Sequence, residues 1–165
     1  MAQNSNNTYR NITYRQIVNT FNDIASNHLQ IQSFNSGSLN DVDIEKMDAD
    51  QFPLLYIEPQ PAIVDAQTLT YSFDVIVADQ IQEDMADIND AYSETLLILK
   101  DVIANFRQAT ESESWVDQRT DLDLPINLTP FTSRFSNMLT GWAGTFSIVC
   151  QNQNNLCDVP QTDNS

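Results

Sequence analysis

Glycine, histidine, cysteine and basic residues are all scarce in this 165-residue chain. Three glycines leave no Gly-rich phosphate loop: neither G-x-G-x-x-G nor a Walker sequence occurs. There is no G-x-S-x-G, and a single histidine, His28, gives little scope for a Ser-His or Cys-His pair. Seven Lys and Arg stand against 23 Asp and Glu, for a formal charge of -16. That balance argues against binding nucleic acid through its phosphates, where affinity comes from cations displacing counterions. It suits plain solubility, and equally a surface that must not adhere to DNA. No apolar run approaches the ~20 residues of a membrane span. No basic-then-apolar leader is present. The expectation is a protein made and kept in a cytoplasm.

Cys150 and Cys157 are the only cysteines. Two free thiols, one buried at a strand end and one in the tail segment, fit a reducing compartment. A disulfide across this small loop is the alternative. Zinc ranks third, because it needs four ligands and His28 is far away in sequence.

What is present reads as one folded domain over 9–160, between polar, frayed tails at 1–8 and 161–165. Hydrophobic residues make up 41% of the chain. Thr13 and Gln16 form a T-x-x-Q capping box, with Ile12 and Ile17 as a hydrophobic staple. Ile17, Phe21, Ile24 and His28 follow at helical spacing, which predicts a helix from about Tyr14 to Asn27. His28 reads as a helix-end residue, with no partner acid beside it in sequence. Leu29, Ile31 and Phe34 lead to the turn signal Asn35-Ser36-Gly37-Ser38. Leu39, Val42 and Ile44 would return as the second strand of a hairpin. Phe52 to Pro59 reads as a strand buried on both faces, and Thr68 to Ala78 as an alternating strand. Asp79 would then cap a long helix with Gln82 at its third position. Its core stripe would be Ile81, Met85, Ile88, Tyr92, Leu96, Leu99, Ile103 and Phe106. An irregular acidic loop over 108–125 carries Trp115. A strand from Ile126 to Phe135 contains Pro130, so it belongs at an edge or bulge. A final strand follows Gly141 and alternates Trp142, Phe146 and Ile148 with small and polar residues. Its Cys150 points to the apolar side. The fold class is α+β: a largely antiparallel sheet packed by one long and one shorter helix.

Between Asp74 and Asp101 there are eight acids and one base, Lys100. Asp84, Asp87, Asp90 and Glu94 recur on one side of the long helix. Crowded carboxylates can hold a cation or raise a pKa. One helix face gives a row and not a cage, so a solvated face is the preferred reading and the chain reads as a non-enzyme. In a ring with this helix inward, the row would line an acidic bore through which DNA slides. Trp115, Ile126, Leu128 and Phe131 are the candidate subunit contacts, since they lie on the long loop and the edge strand that follows it.

The closing segment, "LTGWAGTFSIVCQNQNNLCDVP", resembles the ending of small tail terminator and tail-completion (head-to-tail connector) proteins of long-tailed bacteriophages. Leu139, Gly141, Trp142, Cys157, Asp158 and Pro160 carry the likeness; Leu69 to Phe106 is similar in strand-then-helix layout only. The resemblance implies a homo-oligomeric, hexameric ring that terminates the tail tube or sheath and joins the tail to the neck. It implies tail or neck proteins as neighbours and DNA that passes without specific binding. It further implies no catalysis, no cofactor, no membrane contact, and a virion location after assembly in the host cytoplasm. Two other classes remain open: an acidic cytoplasmic cation-binding regulator or enzyme, and a monomeric acidic adaptor.

Overall fold

The computed structural model describes residues 12–38, 47–82, 86–112, 120–134 and 138–152. Local chemistry sets the first helix, α1 (Tyr14–Asn27). The Gln16 amide donates to Thr13 Oγ1 at 3.2 Å, and the Thr13 amide donates to Gln16 Oε1 at 2.8 Å. Two donors left over at the helix start are thereby satisfied. Ile12, Ile17, Phe21 and Ala25 are buried in the main core, with Ile24 at its rim. His28 ends the helix, its backbone N–H reaching the carbonyls of Ile24 and Ala25.

Six strands form one sheet: β1 (Ser33–Ser36), β2 (Leu54–Val64), β3 (Thr68–Gln80), β4 (Asp121–Leu122), β5 (Leu128–Arg134) and β6 (Met138–Gln151). The order is β1-β2-β3-β6. Beyond β6, β4 and β5 occupy separate lengths of its far side. Every pairing is antiparallel except β1 with β2. The second helix, α2 (Ile88–Thr110), packs with α1 on one face of the sheet. The architecture is α+β, as the sequence pattern implies.

The helix-covered face carries Leu55, Ile57, Phe73, Val75, Val77, Phe146 and Ile148. Four phenylalanines meet at its centre. The ring centroid of Phe21 lies 4.7 Å from that of Phe106, 5.7 Å from Phe146 and 6.0 Å from Phe73. Alternation along each strand places Gln60, Ser72, Asp74, Thr145 and Ser147 on the opposite face. There the Asp74 carboxylate accepts from Gln60 Nε2 at 2.9 Å and from Thr145 Oγ1 at 2.7 Å. A small apolar cluster of Phe52, Leu54, Tyr56 and Leu139 closes one end of that face.

Four sequence expectations are corrected, and a fifth concerns residues outside those described. The strand at 33–36 runs parallel to β2; the return strand of the expected hairpin, 39–44, lies outside the described residues. Gly37, at φ 124°, still turns the chain, and it is pinned to β2 by its N–H on the Ile57 carbonyl and by the Tyr56 hydroxyl on its own carbonyl. Next, β2 does not stop at Pro59. It continues to Val64, with a register shift between Gln60 and Ile63. The long helix starts at Ile88, not near Asp79. Asp79 and Gln80 instead pair with Thr140 and Leu139 of β6, and the Ile81 N–H donates to the Met138 carbonyl. A continuous ladder outweighs the local capping signal. Part of the expected loop is ordered: 108–110 belongs to α2, and Asp121–Leu122 pairs with β6. Finally, β6 begins at Met138, before Gly141.

Candidate assembly surface

The corrected helix start changes the meaning of the acidic row. Asp87 is now the residue before the first turn and Asp90 lies in that turn. Both stand at the positive end of the helix dipole, where a carboxylate is favourable by about 0.3–1 kcal/mol. The charge that seems costly in the middle of a helix is thus partly offset by its position. Asp90 and Glu94 are exposed and Asp87 is half-buried. Asp84 lies outside the described residues. Asp87 Oδ1 accepts from the Gln82 N–H at 3.4 Å.

Asp79, taken from sequence as a helix cap, joins this acidic end from β3. Burial raises its carboxyl above the ordinary range. The Gln80 N–H, donating at 2.8 Å, opposes that shift, while Glu94 and Asp87 reinforce it. Asp79, Gln82, Asp87, Ala49 and Met138 help line an open cleft of about 520 Å³. Among the described residues, no group of three or more His, Cys, Asp and Glu side chains is placed to hold a metal ion.

The candidate contacts divide. Ile126 and Leu128 turn inward and pack against the main core as half-buried residues. They cover Gly144, where an added Cβ would lie 2.6 Å from Leu128 Cδ2 and 3.1 Å from Ile126 Cγ2. Phe131, opposite Gly141, is half-buried. Trp115 lies outside the described residues. Pro130 pairs opposite Trp142 in an edge strand, as its missing N–H requires. The strand is tied to the helix layer by Tyr92, whose hydroxyl meets Thr132 Oγ1 at 2.5 Å.

The closing segment forms a joint between layers. Leu139 is buried. At Gly141 an added Cβ would fall 1.9 Å from the Val77 carbonyl oxygen, so β3 and β6 approach too closely there for any side chain. Trp142 packs edge-on to Tyr92, and its Nε1–H donates to the Tyr92 carbonyl at 2.9 Å. Cys150 is a buried free thiol, and burial pushes it up to about 11. Cys157, Asp158 and Pro160 lie outside the described residues.

His28 does acquire a partner acid, which sequence separation concealed. Its Nε2 lies 3.1 Å from Asp101 Oδ2 on α2. Its Nδ1 accepts from the Gln30 N–H at 3.2 Å, which leaves Nε2 as the donor to Asp101. Both ring nitrogens are therefore engaged by the chain itself, which suits a clamp between α1 and α2 better than a general base. No protein-family model matches the chain, and no curated protein matches its sequence.

Proposed function

We propose that this chain is a structural virion subunit of a long-tailed bacteriophage. It forms a homo-oligomeric ring, hexameric by the resemblance, that terminates the tail tube or sheath and joins the tail to the neck. The observation that carries this reading is the role of Leu139, Gly141 and Trp142. Of the six residues that carry the likeness to tail-completion proteins, these three are described, and they hold β6 against β3 and α2. The likeness therefore falls on the architecture of the fold. The charge of -16 is in keeping with a ring through which DNA passes without adhering. In this reading the protein performs no catalysis and needs no cofactor.

Native mass spectrometry of the purified chain, with negative-stain imaging of the same sample, tests the proposal. The expected result is a closed ring of defined copy number, or rings stacked on one another. A strict monomer at every concentration up to the solubility limit would overturn it and favour the acidic adaptor.

A further inference from the structure

A cleft of about 330 Å³ lies between the two helices. Thr20, Asp23 and Asn27 line it from α1, three and four residues apart and so on one side of that helix. Asn105 and Ala109 line it from α2, with Ser112 just beyond the helix end. Its side-chain hydrogen bonds share a direction. The Thr20 hydroxyl donates to the Gln16 carbonyl at 2.9 Å, the Ser112 hydroxyl to the Ala109 carbonyl at 2.7 Å, and Asn105 Nδ2 to the Asp101 carbonyl at 2.8 Å. A carbonyl only accepts, so each direction is fixed. His28, also in the wall, gives its Nε2–H to the Asp101 carboxylate. These side chains spend donors on the chain itself. What is left for an occupant is weighted to acceptors: the Thr20 oxygen, Asn105 Oδ1 and the Asp23 carboxylate. The remaining donors are neutral amide hydrogens of Asn27 and Asn105. No Lys or Arg lines the cleft, and Asp23 has no ion-pair partner among the described residues.

We infer that this cleft binds a primary alkylammonium group. Its three N–H donors match the three acceptor groups, and its charge answers that of Asp23. Its alkyl carbons have Ile24 and Ala109, the apolar part of the wall, to lie against. A bare metal ion fits poorly: calcium takes about six to eight oxygen ligands, and the wall holds a single carboxylate. A free amine and a lysine of a partner chain present the same group. The inference does not depend on the ring reading, which stands or falls separately.

Isothermal titration calorimetry at constant ionic strength tests it with three probes: butylammonium, tetramethylammonium, and lysine blocked at both backbone ends. Butylammonium should saturate a single site. Tetramethylammonium carries the charge but no N–H, and should bind at least about fivefold more weakly. Butylammonium should lose a similar factor on Asp23→Asn and on Thr20→Val. Asp23 is exposed and Thr20 half-buried, and unchanged melting temperatures will show that both variants are folded; Asp23→Asn alone decides if Thr20→Val melts early. Tighter binding of blocked lysine than of butylammonium would support the site and assign it to a partner's lysine, and weaker binding would support it and assign it to a free amine. Equal binding of butylammonium and tetramethylammonium would overturn the site. So would unchanged binding to Asp23→Asn, or no saturable heat with butylammonium and blocked lysine.

Discussion

Gly141 and Gly144 both lie in β6 and should respond differently to an added methyl group. At Gly141 the obstacle is backbone, the Val77 carbonyl oxygen at 1.9 Å, which cannot retreat without breaking the β3–β6 ladder. Gly141→Ala should cost more than about 4 kcal/mol, in the exceptional range for one substitution. At Gly144 the obstacle is the tip of Leu128, which can rotate. Gly144→Ala should cost about 1–3 kcal/mol, as overpacking does. Urea unfolding of the two variants would compare them, and equal losses would show that β3 yields as readily as Leu128. Cys150 supports a second residue-scale prediction. Its thiol is raised from 9.0 to about 11 by burial, so folding favours the protonated form. That contribution is complete below pH 9 and is lost as pH rises towards the folded value. Tyr71, also raised by burial and held by its hydrogen bond to the Ile12 carbonyl, acts in the same sense. Stability should therefore fall with pH in this alkaline window, and less steeply in Cys150→Ala. Identical pH slopes for the two proteins would remove Cys150 from the explanation.

At the scale of elements, α2 shows what pattern reading can and cannot see. Apolar spacing put the stripe on Ile88, Tyr92, Leu96, Leu99, Ile103 and Phe106. The buried line is Ala91, Thr95, Ile98, Leu99, Val102 and Phe106, a face turned slightly from the expected one. Ala91 and Thr95 are small where the helix is buried, and the Thr95 hydroxyl is satisfied within the helix by the Ala91 carbonyl at 2.6 Å. Hydrophobicity alone ranks such positions low, and it ranks Leu96 and exposed Leu97 too high. Leu99→Ala should cost about 2–5 kcal/mol, while Leu97→Ala should stay within about 0.5 kcal/mol. Thermal unfolding would decide, and a large loss at Leu97 would place the buried face elsewhere. The elements set by local chemistry were legible in the sequence: the capped α1, the alternation of β3 and β6, and the proline-marked edge of β5. The elements that depend on distant ladders were not. Parallel β1, two-residue β4 and the extension of β3 through Asp79 each require a partner strand that no window of sequence contains. The same limit applied to the site, where Asp79 joins the acidic end of α2 only because β6 holds it in the sheet.

For the whole molecule, the excess of carboxylates is a standing cost that can be measured at one position. Asp79 is half-buried and faces Glu94 and Asp87, and its pKa is raised from 3.8. A raised carboxyl stabilises the fold when protonated, below its ordinary value, and that contribution is lost as pH rises through the folded value. At neutral pH the ionised group therefore opposes folding. Asp79→Asn, which keeps an oxygen for the Gln80 N–H, should raise the melting temperature at pH 7, with the gain vanishing below pH 3.8. A lower melting temperature at pH 7 would mean that the charged form is needed. The central place of β6 has a consequence for how the chain is made. β3 is synthesised long before 138–151, yet β6 is its neighbour along its whole length. A nascent chain thus carries β3 with one flank bare until β6 leaves the ribosome, and β4 and β5 wait for the same strand. Pairing across so much intervening sequence is intrinsically slow, so closure of the sheet should come late. Ribosome-arrested chains ending before 138 should be cut readily by protease and those with β6 fully emerged should resist, whereas early resistance would show that the two helices and β1–β3 fold without it.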